Sequence, residues 1–288
     1  MSWGIYVHFP YCSHLCSYCD FNVSTPSVIP QGAYTDAVIA ELEARASPAL
    51  GRASTLYIGG GTPSLWDHKA LERFVDAVRR VHGLTEDAEV TLEANPQDIT
   101  NEGITRLLSL GVNRLSIGVQ SLRQNELDAL DRRHQIDEAQ RAIKAARDAN
   151  LMSFSLDFMF GLPQQTVSSW EDDLEVIASF EAPHLSIYGL TVEPKTALER
   201  RVHQGTVNVA SDESAAAMLF AARSILQSHG YRHYEVSSYA QPGFRARHNS
   251  AYWLMKPYVG LGAGAHGFDG VRRWVNVKRP KQYIRAAG

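Results

Sequence analysis

The chain has 288 residues, of which 44% are apolar and 20% charged, the composition of an ordinary globular protein with room for one large domain or two modest ones. Its net charge of −3 gives no electrostatic reason to expect nucleic acid as a partner. No apolar run approaches the length of a membrane span, and residues 1–10 lack the basic and apolar stretches of a signal peptide, so we expect neither a membrane-spanning helix nor a secretory leader.

Short apolar runs alternate along the first two thirds of the chain with helical segments. The apolar runs, predicted to be buried strands, are 4–9, 54–60, 89–94, 114–119, 154–160 and 184–190. The helical segments between them are 32–46, 67–81, 101–110, 137–150 and 167–180, with Asp67 and Thr100 as expected N-caps and Gly83 and Gly111 as expected ends. Strands and helices alternating in this way predict a parallel sheet with right-handed crossovers. Eight such units would close a barrel, so six predict a partial, open barrel, with a doubly wound open sheet as the alternative.

The chain after about residue 190 follows a different pattern. It predicts, in order, a helix (211–230), a strand (231–240), a glycine-rich turn region at the mouth of the barrel (258–268) and the start of a further helix (283–288). Ser211 is the expected N-cap of the first of these helices and Gly230 its end. We therefore divide the chain into an α/β barrel over residues 1–200 and an α+β extension over residues 201–288 that packs on the barrel.

Polar residues follow several of the predicted strands at their carboxyl ends. A glycine triplet and Thr62 follow the second strand, Glu93 ends the third, Gln120 the fourth, and Asp157 lies in the fifth. In parallel α/β folds these strand ends meet at one rim, where ligands bind. A carboxylate within an apolar strand is costly unless it is paired. One such residue could be a structural hydrogen-bonding group, but polar residues on three successive strands, Glu93, Gln120 and Asp157, indicate a ligand site.

The three cysteines of the chain, Cys12, Cys16 and Cys19, lie within eight residues directly after the first predicted strand. An odd, clustered set argues against a disulfide framework and for a reducing compartment, which we expect to be the cytoplasm. A structural zinc ion would need a fourth ligand, for which His8 and His14 are the candidates. A [4Fe–4S] cluster held by three cysteines would instead keep one iron open for a substrate or cofactor.

In this position the C-x3-C-x2-C motif resembles that of the radical S-adenosylmethionine (SAM) enzymes. Further segments resemble the coproporphyrinogen III oxidase-like subfamily: Y-V-H-F-P-Y-C, G-G-G-T-P, L-E-A-N-P, G-V-Q-S, D-R-R-H, D-F-M-F-G-L-P and Y-G-L. The resemblance implies a partial (βα)6 barrel of the radical SAM type, with a [4Fe–4S] cluster on Cys12, Cys16 and Cys19 and SAM on the open iron. It implies that SAM is bound by Tyr6, Tyr18, Gly60, Gly61, Thr62, Glu93, Gln120, Arg132, Asp157 and Gly189.

Within the subfamily, two sequence features favour a haem chaperone over a coproporphyrinogen III oxidase. Oxygen-independent coproporphyrinogen III oxidases carry a fourth cysteine where this chain has Phe21, and they tend to have an N-terminal extension before the first strand. The haem chaperones of the subfamily end the motif in C-x-F and carry H-N-x-x-Y-W, which is present here at residues 248–253. The resemblance therefore favours a haem chaperone that binds haem, the cluster and SAM and delivers haem to haem proteins, with His248 in the haem site. The alternative is the oxidase, or another radical SAM enzyme that acts on a tetrapyrrole.

The same resemblance implies a set of partners. These are haem, recipient haem proteins with membrane-bound respiratory proteins among the candidates, and an electron donor for the cluster; nucleic acid is not among them. It leaves open whether SAM is cleaved in function, and we expect a radical SAM protein that is not a coproporphyrinogen oxidase. The family usually continues with a C-terminal helical domain, which we expect to be missing or truncated in this chain.

Overall fold

The computed structural model describes residues 3–47, 50–149 and 151–287, which form one mixed sheet covered by helices. The strands are β1 (Gly4–Phe9), β2 (Ala53–Gly60), β3 (Leu84–Ala94), β4 (Arg114–Gln120), β5 (Ser153–Phe160), β6 (His184–Gly189), β7 (Arg232–His233), β8 (Ser238–Ala240), β9 (Tyr258–Leu261), β10 (His266–Phe268) and β11 (Arg273–Val275). Their order across the sheet is β11-β10-β9-β1-β2-β3-β4-β5-β6-β8-β7. The six predicted strands are confirmed, and β1 to β6 pair in parallel in chain order.

The helices are α1 (Gln31–Ala44), α2 (His68–Val81), α3 (Asn101–Ser109), α4 (Gln124–Ala129), α5 (Ile136–Asp148), α6 (Val167–Ser179), α7 (Ala197–His203), α8 (Asp212–Ser228), α9 (Arg247–Trp253) and α10 (Pro280–Ala287). The side chains of Asp67, Thr100 and Ser211 accept hydrogen bonds from backbone amides in the first turns of α2, α3 and α8, so all three predicted N-caps are confirmed. Asn150 and Gly288, the last residues of two predicted helices, lie outside the described residues. No helix in the described ranges is long and apolar enough to cross a membrane.

The parallel strands alternate between an apolar and a polar face. In β5, Phe154, Leu156 and Phe158 belong to the hydrophobic core beneath the helices. Ser155 and Asp157, which lie between them, hydrogen-bond to each other and to side chains of neighbouring strands on the other face. Buried polar groups are stable only when hydrogen-bonded, so the inner face of the open barrel is a connected polar interior rather than an apolar one.

The C-terminal segment continues the sheet at both edges. Strand β9 pairs in parallel with β1, so a seventh parallel strand joins the six predicted ones, and β8 pairs antiparallel with β6. Strands β1 and β6 are not neighbours, and the described strands do not close a barrel. The open, mostly parallel sheet with its helices confirms the predicted partial barrel.

Two predictions for this segment need correction. Residues 231–240 are not one strand but the short antiparallel pair β7 and β8, because residues 234–237 turn the chain back. The glycine-rich region 258–268 is not only a turn, since it contains β9 and β10. Its turn glycines, Gly262 and Gly264, have φ of +92° and +77° and pack against the carbonyl of His8 and the side chain of Asn22, beside the cavity at the strand ends but not among the residues that line it.

Candidate functional site

The carboxyl ends of β1 to β6 surround a cavity of about 370 Å3. Of the predicted site residues, twelve line it: Cys12, Cys16, Tyr18, Cys19, Gly60, Gly61, Thr62, Glu93, Gln120, Arg132, Asp157 and Gly189. Tyr6 and His248 are not among the lining residues. The structure thus brings together residues from five strands, β2 to β6, and from the loop after β1.

The cysteine loop is fixed at its base by backbone hydrogen bonds. The amide of Cys12 donates to the carbonyl of Ser24 (3.0 Å), and the amide of Ser24 donates to the carbonyl of Pro10 (2.8 Å). The amide of Thr62 donates to the carbonyl of Tyr11 (2.8 Å), which ties the loop after β2 to the loop after β1. The three thiols are free and partly exposed, so they are held at the mouth of the cavity without being sealed in.

The surroundings of the thiols suit a metal-bound thiolate. The hydroxyl of Thr62 donates to Cys12 Sγ (3.3 Å), and Arg132 Nη1 donates to Cys16 Sγ (3.8 Å); such hydrogen bonds stabilise sulfur ligands. Burial raises the pKa of Cys12, and that of Cys19 to about 11, so a positive metal centre is needed to hold these sulfurs deprotonated at neutral pH.

The positions of the possible ligands distinguish a single metal ion from an iron–sulfur cluster. No three His, Cys, Asp or Glu side chains in the described part of the chain converge on a single metal ion. Both ring nitrogens of His8 are occupied, by the hydroxyl of Tyr6 (2.8 Å) and the carbonyl of Asn22 (2.9 Å). A [4Fe–4S] cluster places each cysteine on a different iron, so its ligands need not meet at one point. The three thiols therefore fit such a cluster.

The glycines after β2 are needed for close packing. Gly60 has a φ of +124°, and a Cβ there would lie 2.8 Å from the carbonyl oxygen of Phe9. A Cβ on Gly61 would lie 2.9 Å from Cys12 Sγ. Only glycine allows the backbone to run this close to the cysteine loop while it also lines the cavity.

Glu93 is a half-buried carboxylate that accepts hydrogen bonds from two donors. Its Oε1 accepts from the hydroxyl of Tyr57 (2.7 Å) and its Oε2 from the amide of Gly60 (3.0 Å). Burial raises the pKa of Glu93 to about 7, and the nearby Asp157 adds to the rise. A cationic or hydrogen-bond-donating group in the cavity would favour the ionised form, so this carboxylate is poised to accept a donor from a ligand.

Asp157 has a similar environment on β5. Ser116 donates to its Oδ2 and Ser155 to its Oδ1, both at 2.8 Å. Burial raises the pKa of Asp157, and the serine hydroxyls oppose that rise. Each oxygen keeps acceptor capacity beyond its serine partner.

Arg132 is not the solvated charge that its polar neighbours in the sequence would allow. Its Nη2 donates to Asn95 Oδ1 (2.8 Å) and to the carbonyl of Gly118 (2.9 Å). A Cβ on Gly118 would lie 3.3 Å from Arg132 Nη2 and 2.8 Å from Gln120 Nε2, so glycine makes room for both side chains. Gln120 itself has a φ of +69° at an irregularity in the pairing of β4 with β5, which turns the chain at the edge of the cavity.

Several residues of this network were missed as site residues. Asn95 accepts from Arg132, and its Nδ2 is 3.4 Å from Thr62 Oγ1; it directly follows a strand, which was the available signal. Tyr57, Ser116 and Ser155 were not identified from the sequence, because their strands were predicted from overall apolar composition alone. The alternation of polar and apolar residues within those strands would have revealed them.

Tyr6 and His248 lie in the barrel interior, away from the cavity. The hydroxyl of Tyr6 contacts His8 Nδ1 at 2.8 Å. His248 is 2% exposed, with its Nδ1 2.7 Å from Thr55 Oγ1 and its Nε2 2.8 Å from the hydroxyl of Tyr252. Since Thr55 lies near the amino end of β2, His248 is at the opposite end of the barrel from the cysteines, and neither ring nitrogen is free to ligate iron in this conformation.

Comparisons with known proteins identify relatives of this chain. The Radical SAM superfamily model matches residues 6–177. The chain is 37% identical to a Heme chaperone HemW of Bacillus subtilis, over 97% of this chain and 74% of that protein, and 40% identical to one of Escherichia coli, over 92% and 69%. Among solved structures, the radical SAM enzyme coproporphyrinogen III oxidase HemN of Escherichia coli superposes with a TM-score of 0.84 at 26% identity, covering 99% of this chain and 68% of that one.

Proposed function

The chain belongs to the radical SAM superfamily and, within it, to the HemW family, and from that membership we propose that it is a haem chaperone, which binds haem and delivers it to haem proteins. The observation that carries the proposal is the likeness to curated heme chaperones along more than nine tenths of the chain. Phe21 in place of a fourth cysteine, and the His248–Trp253 segment, support it from the sequence.

The superfamily implies a [4Fe–4S] cluster and SAM, and the cavity provides groups for both. Cys12, Cys16 and Cys19 would hold the cluster. When bound, the cluster supplies an electron that can cleave SAM. We propose that Glu93 and Asp157 accept hydrogen bonds from ligand hydroxyl or ammonium groups, because both are half-buried acceptors that line the cavity.

For haem, the structure favours the outer end of α9 over its inner end. Trp253, Leu254 and Met255 are 59%, 67% and 55% exposed, and Arg273 Nη2 lies 3.4 Å from Met255 Sδ. A flat apolar macrocycle with two carboxylates fits an apolar surface with an adjacent arginine, and thioether sulfur is a known haem ligand. We therefore propose that haem docks on Trp253–Met255, while His248 anchors the inner end of the helix.

An anaerobic haem titration followed by absorbance tests this proposal. We expect saturable binding by the wild type, weakened about tenfold or more by Trp253→Ala or Met255→Ala, because a stacking surface or an iron ligand is lost. Phe220→Ala removes an equally exposed aromatic side chain on α8 and should leave the affinity unchanged. Absence of saturable binding by the wild type would overturn the chaperone proposal, and equal weakening by Phe220→Ala would overturn the proposed docking surface.

A second candidate function is that of an enzyme acting on a tetrapyrrole. It is favoured by the structural likeness to coproporphyrinogen III oxidase over 99% of this chain. Incubation of the reduced, cluster-loaded protein with SAM and coproporphyrinogen III, followed by chromatography of the porphyrins, distinguishes the two. Decarboxylated product would favour the enzyme; we expect none, because Phe21 replaces the fourth cysteine of the oxidases.

The remaining partners follow from the same proposal. We propose recipient haem proteins, which include membrane-bound respiratory ones, and a one-electron donor for the cluster. Three free thiols fit a reducing compartment such as the cytoplasm.

A further inference from the structure

A chain of hydrogen bonds, buried at His184, connects Asp157 to the opposite end of the barrel. Ser155 Oγ donates to Asp157 Oδ1 (2.8 Å) and lies 2.8 Å from His184 Nδ1. His184 Nε2 lies 2.8 Å from the hydroxyl of Tyr234, which accepts from the amide of Ala246 (3.1 Å). Ala246 is the residue before α9, so the chain runs from the cavity to the start of the helix that carries His248.

The hydrogens of this chain can be placed from the donor inventory of each group. Ser155 has a single hydroxyl hydrogen, which goes to the carboxylate of Asp157 at 2.8 Å rather than to Ser186 Oγ at 3.1 Å, because a charged acceptor forms the stronger hydrogen bond. Its oxygen can then only accept from His184, so Nδ1 of His184 carries the hydrogen. Nε2 of the neutral ring is left as an acceptor for the hydroxyl hydrogen of Tyr234. Every hydrogen-bond donor from Tyr234 through His184 to Ser155 therefore points towards Asp157.

The titratable groups around this hydrogen-bond chain agree with donation towards Asp157. Burial lowers the pKa of His184 well below its usual value, and Arg114 acts in the same direction, so the ring is neutral. Asp157 faces Glu93 of β3, Arg114 of β4 and Tyr188 of β6. Arg114 and the serine hydroxyls favour the ionised form of Asp157.

We propose that His184 and Tyr234 are positioning residues, which act through Ser155 to present Asp157 to the cavity as an oriented, ionised acceptor. A ligand hydroxyl or ammonium group then meets a carboxylate whose two oxygens are each held by a serine hydroxyl. Aligned hydrogen bonds strengthen one another in a low-dielectric interior, so loss of a distant member weakens the acceptor. The ligand in this inference is SAM, so the inference rests on the SAM part of the proposed function.

The first test determines the direction of donation along the hydrogen-bond chain, in protein that holds neither cluster nor SAM. Nitrogen-15 NMR of histidine-labelled protein distinguishes the two neutral tautomers of an imidazole, and His184→Asn identifies the signal of His184. We expect a neutral ring with the hydrogen on Nδ1 between pH 6 and 8. A hydrogen on Nε2 alone would make Nδ1 an acceptor from Ser155, and a charged ring would make Nε2 a donor to Tyr234; either result would overturn the proposed direction.

The second test measures SAM affinity by calorimetry on the anaerobically reconstituted protein. His184→Leu removes the donor to Ser155 and should weaken binding about tenfold. His184→Asn retains an amide donor and should restore most of the affinity. Tyr234→Phe should weaken binding by a smaller factor and shift His184 towards a tautomer mixture.

Tyr231→Phe is the matched control for Tyr234→Phe. It removes one buried phenol hydrogen bond, to the carbonyl of Ala182, and should leave SAM affinity unchanged. Equal SAM affinity in wild type, His184→Leu and Tyr234→Phe would overturn the positioning role. If the wild type binds no SAM, the SAM part of the proposed function fails, and the tautomer still decides whether the chain has the proposed polarity.

Discussion

Two glutamates on β3 show how the two ends of the barrel differ. Glu89 accepts from the amides of Arg247 and His248, at 2.8 and 2.9 Å, and so caps the first turn of α9. Glu93, four residues further along, accepts from one phenol and one amide and lines the cavity. Both carboxylates are enclosed by the barrel. Both oxygens of Glu89 accept from backbone amides of α9, whereas Glu93 lines the cavity.

The same contrast holds for the other polar residues. At the amino end of the strands, His248, Tyr252 and Thr55 hydrogen-bond to one another. At the carboxyl end, the thiols are partly exposed, and Glu93 and Asp157 retain acceptor capacity towards the cavity. A histidine or carboxylate is thus a ligand candidate at one end and a structural group at the other, and the difference lies in whether its partners come from the chain itself.

The largest effect should come from the cysteines of the cavity end. Anaerobic reconstitution should give about four irons per chain, and a Cys12, Cys16 and Cys19 triple alanine variant should bind none, because it lacks the three proposed thiolate ligands. Iron and sulfide analysis with absorbance spectroscopy measures this. Ser13→Ala, in the same loop, is the control and should keep the full iron content; a triple variant that also kept it would contradict the cluster assignment.

At the closed end, Glu89→Gln should lower stability without affecting the cavity. The amide retains a single acceptor oxygen, so one of two amides at the start of α9 loses its partner, at a cost of about 1–3 kcal/mol. We expect Tm to fall by several degrees in a thermal unfolding experiment. An unchanged Tm would show that Glu89 does not hold the helix.

Glu93 should make stability depend on pH in the opposite way to a salt-bridged carboxylate. Its pKa is raised by burial to about 7, above that of the unfolded chain, so the folded state binds more protons between about pH 4.5 and 7. Its contribution is complete below that window and is lost as pH rises through it. Urea unfolding without SAM at pH 5 and pH 8 should show a smaller difference for Glu93→Gln than for the wild type; equal differences would argue against the raised pKa.

The smallest effect is expected for Tyr252→Phe. It removes one hydrogen bond from His248 Nε2 and should lower the free energy of unfolding by about 1 kcal/mol, as measured by urea denaturation. Iron content and SAM affinity should not change, because the cavity lies at the other end of the barrel. A loss of either would show that the two ends are coupled through His248.

Much of the cavity end could be predicted from the sequence, and little of the closed end. The cysteine spacing, the glycine triplet and the strand-end carboxylates are local features, and parallel topology brings strand ends together whatever their details. His248 could not be placed, because its position depends on α9 packing against β1 and β2, and Thr55 of β2 is already 193 residues away in the chain. Strands β7 and β8 are two and three residues long, too short for alternation to mark them.

The most direct test of the contrast between the two ends is SAM calorimetry on reconstituted Glu93→Gln and Glu89→Gln, with Tm measured on the same samples. We expect Glu93→Gln to weaken SAM binding about tenfold or more and to lower Tm less than Glu89→Gln does, because the neutral amide avoids the burial cost that raises the pKa of Glu93. Glu89→Gln should lower Tm and keep the wild-type SAM affinity. The reverse pattern, or equal loss of affinity in both variants, would contradict the assignment of ligand binding to the cavity end and of structural support to the closed end.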